Sequence, residues 1–197
     1  CGWGCGGWSR LLEKQGWTIE AVEHAFAAGD HVQVRRLLRS NYPQWLRLVN
    51  RGRIMSWFER MPRDFLRKEP WLCVVFAWIV WNQGDIRRTE ACLDDAQAPL
   101  AHPPEDAYLP ADDPEYTYMP AEILAFRSLI ASQKQDLEAA VELSNRALAL
   151  IAGSVSPEAS VISGIATLTL QLAYRETGQV ERALDACTLA LAEARVG

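Results

Sequence analysis

Residues Trp71–Trp81, WLCVVFAWIVW, form an unbroken apolar run of eleven. A membrane-spanning helix needs about 20 apolar residues, so the run reads as a helix buried on all sides. Such a helix needs partners on every face. Beyond it come a Gly84-Asp85 break and IRRTEACLDDAQA, an amphipathic stretch that returns alongside it. Most of the chain repeats this hairpin.

The chain of 197 residues is 49% hydrophobic, enough for an extended core. Its net charge of −5 divides unevenly: residues 1–68 carry 12 Lys/Arg against 6 Asp/Glu, and residues 69–197 carry 8 against 19. Solvated helix faces are the simpler reading of this asymmetry. The arginines of the basic half are spread over several expected helices, against the gathered motif of a nucleic-acid binder. Five cysteines, at positions 1, 5, 73, 92 and 187, do not make a disulfide framework. Those at 73, 92 and 187 sit among apolar helical residues and suit a reducing cytoplasm. The opening CGWGCGGWS lacks the charged segment and apolar core of a signal peptide. Cys1 and Cys5 have no third ligand nearby that would make a zinc site.

Helical signals recur from Trp17. WTIEAVEHAFAAGD places Thr18 at an N-cap, with Ala21, Val22, Ala25 and Phe26 on one face, and stops at Gly29-Asp30. VQVRRLLRS returns with Val34, Leu37 and Leu38 inward. Pro43 suits the first turn of QWLRLVNRG, expected to end at Gly52. RIMSWFERM is a short helix, and no plausible strand appears. PLAHPPEDAYLPADDPEYTYMP, with six prolines, reads as a long irregular loop. Its Asp112, Asp113 and Glu115 lack the spacing of a calcium loop, and a solvated linker is the better reading. Two further hairpins follow from Ala121. The second has Val180, Ala183, Ala186, Cys187, Ala190 and Leu191 facing inward on its return helix.

Aligned on their turns, Gly29-Asp30, Gly84-Asp85, Gln135-Asp136 and Gly178-Gln179 head similar return helices. Turn spacing falls from 55 to 51 to 43 residues, approaching the tetratricopeptide class, whose ideal period is about 34. The expected fold is therefore all-α, a right-handed superhelix of stacked antiparallel helix hairpins of the tetratricopeptide-like kind. Its segments are an irregular start over 1–16, helical hairpins over 17–98, a Pro-rich acidic loop over 99–119 and further hairpins over 120–197.

GWTIEAVEHAFAAGD, the step from Trp45 to Gly52-Arg53, WFERMP and RKEPWLCVVFAWIVWNQGDIRRTEACLDDA together resemble the helical region of the MalT-like, large ATP-binding LuxR-type transcriptional regulators. The resemblance covers roughly residues 9–197 and is most specific over Gly16–Ala96. It implies a helical arm (17–98) and a tetratricopeptide-like sensor. A small-molecule inducer or a regulatory protein would bind that sensor, and the full-length regulator would self-associate. The chain has no G-x-x-x-x-G-K-[ST] phosphate loop and no basic recognition helix. ATP and DNA are then expected only in domains outside this segment. Where the family continues its preceding helix, this chain has CGWGCGGWSR, so residues 1–8 read as native continuation or as a truncation scar. A cytoplasmic, non-membrane, non-enzymatic segment is expected, with no cofactor or metal of its own. The alternative is a free-standing tetratricopeptide-like adaptor scaffold.

Of eight tryptophans, Trp45, Trp57, Trp78 and Trp81 lie close enough in sequence to converge on a flat ligand. Aromatic residues at helical spacing are more often core, and that reading is favoured. His24 and His31 straddle the first turn without a third metal ligand, which favours helix-end or surface roles. No nucleophile is paired with a base, so no catalytic residue is assigned.

Overall fold

A computed structural model of the chain describes residues 9, 11–13, 17–40, 51–66, 68–101 and 114–193. All regular structure among them is helical. They fall into two units, Cys1–Leu66 and Arg67–Gly197. The expected segment 17–98 spans this division. No helix of the described residues is long and apolar enough to cross a membrane.

In the first unit, α1 (Thr18–Ala27) and α2 (His31–Ser40) form a hairpin, followed by α3 (Arg51–Arg60) and the single turn α4 (Arg63–Leu66). Ala21, Val22 and Ala25 of α1 are buried, as are Val34, Leu37 and Leu38 of α2, which is the apolar periodicity turned inward. Two residues before α1 bond to the hairpin. Buried Ser9 donates from Oγ to the Ala21 carbonyl at 2.9 Å, and Arg36 grips Glu13 through both terminal nitrogens.

The second unit contains α5 (Pro70–Trp81), α6 (Ile86–Ala101), α7 (Pro114–Gln133), α8 (Leu137–Leu150), α9 (Pro157–Glu176) and α10 (Val180–Glu193). Each helix packs against the next in sequence, and α5 packs on α7 and α7 on α9 as well. Pro70 stands in the first turn of α5, where its missing N–H has no intrahelical partner to lose. Nine of the twelve α5 residues are buried. Burial at about 1.5–3 kcal/mol per large apolar side chain overrides the weak helix propensity of Val74, Val75, Ile79 and Val80. The helix is not covered all round: Trp71, Trp78 and Trp81 form a half-buried stripe. Between α7, α8 and α9 the core is made of small side chains, Ala121, Ala125, Ala147, Ala159 and Ala166, closed by Ile151 and Ile162. Alanines at the crossings let the helices approach closely.

The turns share one construction. Gly29, Gly84 and Gly178 have φ of 67°, 82° and 71°, and Gln135 occupies the same left-handed region at 62°. Asp30, Asp85 and Asp136 then cap the following helix, accepting the backbone N–H of Gln33, Arg88 and Ala139 at 3.0, 3.0 and 3.1 Å. Gln179 departs from this, binding Thr177 and Arg182 through its amide.

Several expected boundaries move. Trp17, not Thr18, is the residue before α1, and no side-chain cap is formed there. Gly52 lies in the first turn of α3 and does not end a helix; an N-terminal turn tolerates glycine at little cost. The Pro-rich stretch 99–119 is helical at both ends, through Ala101 and from Pro114. Pro99 sits buried in the last turn of α6. Pro120 lies inside α7, where its missing N–H removes one i→i−4 hydrogen bond from the helix. Asp112 and Asp113, together with Trp45 and the expected helix start at Pro43, lie outside the described residues. Val180, expected inward, is 64% exposed, while Ala186 is buried; α9 is the helix against which α10 packs.

Candidate functional site

Two aromatic assemblies contain the remaining tryptophans of interest. In the second unit, Trp78 stacks on Phe126 of α7 with centroids 3.9 Å apart and planes 18° from parallel, and Trp81 meets the same ring edge-on at 5.8 Å. Phe126 is fully buried. The structure thus brings Trp78 and Trp81 together through a third ring, as a stack plus an edge contact. Arg127, next to that ring in sequence, reaches Asp94 of α6 at 2.6 Å, and Lys134 reaches Glu90 at 2.6 Å.

Trp57 belongs to the first unit and is fully buried. It takes part in a square of four side chains built from two i, i+3 pairs: Glu23 and Phe26 on α1, Trp57 and Arg60 on α3. All four cross-pairs are in contact. Trp57 Nε1 donates to Glu23 Oε1 at 2.6 Å, and Arg60 Nη2 donates to Glu23 Oε2 at 2.8 Å. The Phe26 and Trp57 rings stack at 6.5 Å, and the Arg60 guanidinium lies over Phe26 at 4.6 Å. Burial raises the Glu23 carboxyl, but the bonds from Trp57 and Arg60 and the charges of Arg60 and Arg53 outweigh it, holding its pKa below the ordinary value.

Three members of the square help line a hollow of about 420 Å³, whose lining is Glu23, His24, Phe26, Ala27, His31 and Arg60. His24 is exposed in the last turn of α1, where a cationic side chain complements the helix dipole. His31 opens α2 with its ring 5.3 Å from Phe65, and its Nδ1 is buried without a hydrogen-bond partner. Among the described residues no group of three or more His, Cys, Asp or Glu is placed to hold a metal ion.

The hollow is where sequence reading fell short. Both histidines sit at helix ends, as their places beside the turn suggested, yet Glu23 and Arg60 carried no signal by themselves and Phe26 read only as part of an apolar face. The i, i+3 spacing within AVEHAF and WFER was visible. Their facing was not, because 34 residues separate Glu23 from Trp57. Comparison with protein-family models, with curated proteins and with solved structures gives no match to the chain.

Proposed function

We propose that this chain is the sensor and protein-interaction segment of a bacterial ATP-dependent LuxR-type regulator of the MalT-like kind. The observation that carries it is the packing order of the second unit. In α5 through α10 every helix meets its successor, and the first helices of successive hairpins, α5, α7 and α9, also meet one another. That order is the one stacked tetratricopeptide-like hairpins generate, and a superhelix built from it offers a continuous groove. The resemblance over Gly16–Ala96 supplies the family.

In this reading the segment binds a small-molecule inducer or a regulatory protein in the cytoplasm and performs no chemistry. Occupancy is relayed to an NTPase and a DNA-binding domain outside the chain, and the regulator self-associates. A ligand drives such a relay only by binding the two states of the regulator with different affinity. The test is the reading frame on either side of the segment. A phosphate-binding loop upstream and a helix-turn-helix downstream are expected. Stop codons close to both ends overturn the proposal in favour of a free-standing adaptor.

A further inference from the structure

The hollow of the first unit has an unequal inventory of donors and acceptors. Among the described residues its one lining carboxylate, Glu23, already accepts from Trp57 and Arg60. A cation entering there would have to displace the guanidinium. The donors are less committed. Arg60 reaches Glu23 through Nη2, which leaves Nε and Nη1 for another acceptor. His31 lines the hollow as well, and its Nδ1 is buried without a partner. The exposed ring of His24 stands on the same rim. Phe26 and Ala27 add apolar surface between these groups, and the volume of about 420 Å³ suits a molecule the size of a substituted aromatic acid. The excess of Lys/Arg over Asp/Glu in residues 1–68 draws anions toward this part of the chain.

We propose that this hollow binds a small organic oxyanion, a carboxylate or a phosphate monoester, with its charged head on Arg60, His31 and His24 and its body against Phe26 and Ala27. The site stands independently of the regulator reading. Glu23 holds Arg60 in position through one nitrogen, while its own negative charge opposes the incoming head. Removing that charge therefore strengthens binding. Glu23→Gln does this: its amide oxygen still accepts from Trp57, and its NH2 group, facing Arg60 Nη2, no longer competes for the guanidinium.

The test is a titration of the full ¹⁵N-labelled chain with phenyl phosphate, benzoate and inorganic phosphate, read at the Trp57 indole N–H and the imidazoles of His24 and His31. Trp57→Phe assigns the indole signal. Saturable shifts at these positions are expected with phenyl phosphate, with benzoate, or with both, and the tighter of the two identifies the head group. Arg60→Met is expected to weaken binding roughly tenfold or more, the loss expected on deleting a charge-assisted hydrogen bond. His31→Phe keeps an aromatic ring against Phe65 and removes the imidazole donor, so it is expected to weaken binding while the rest of the spectrum stays in place. Glu23→Gln is expected to tighten it several-fold. Shifts that rise linearly without saturating for both organic anions overturn the site, as does an affinity unchanged in both Arg60→Met and His31→Phe. Tighter binding that fails to appear in Glu23→Gln overturns the assigned head position. Inorganic phosphate binding as tightly as the organic anions overturns the role given to Phe26 and Ala27.

Discussion

Glu23 is a residue whose ionisation stabilises the first unit. Its carboxyl has a lower pKa folded than the ordinary 4.5, so the ionised form stabilises the fold above about pH 4.5, and that contribution is lost as pH falls through the folded value. In Glu23→Gln the decline in denaturation midpoint below about pH 4.5 is expected to be shallower than in the parent chain. An identical acid profile would show that the square of side chains is not held by charge. Cysteines behave in the opposite sense. Burial pushes the Cys73 thiol far up, and it raises Cys92 to about 11 despite the nearby Arg88. Neither is a thiolate at pH 8, so alkylation followed by peptide mass spectrometry should leave both unmodified in the native chain and label both after unfolding. Their inertness was legible from neighbours such as Leu72, Val74, Ala91 and Leu93, because a residue's local sequence sets its helical face. The contacts of Glu23 were not, because they depend on which helix lies opposite.

At the scale of elements, the turn is the repeated unit. A left-handed residue ends one helix, and the next residue caps the following one: Gly29-Asp30, Gly84-Asp85 and Gln135-Asp136. These pairs could be aligned from sequence because glycine and aspartate each have a specific backbone reason to be there. Gln135 keeps the conformation without glycine's freedom, at φ 62°. Gln135→Gly is therefore expected to stabilise the chain by about 0.5–1 kcal/mol, the left-handed strain less the entropy glycine costs. Asp136→Ala should destabilise by about 1 kcal/mol through loss of the cap to Ala139. Thermal denaturation of the two variants checks both signs. Prolines were the misleading signal. Pro99 and Pro120 marked a loop on composition, yet both lie within helices, each at the loss of one backbone hydrogen bond.

For the whole molecule, the all-helical class was legible because hydrophobic periodicity and turn residues agree along nearly every segment. The division between units was less so, since the apolar run of α5 reads as the centre of the chain but packs with α6 and α7, its successors in sequence. A fragment of residues 67–197 is expected to keep helical circular dichroism and to unfold cooperatively, because its core is supplied from within. A non-cooperative melt would show that it borrows stability from residues 1–66. The same packing order sets a timetable during translation. Trp81 leaves the ribosome 45 residues ahead of Phe126, the ring that covers it. At about 5–20 residues per second that is a delay of roughly 2–9 s. Through that interval the most apolar of the described helices stands without its lid, and a nascent-chain chaperone would find its binding site there.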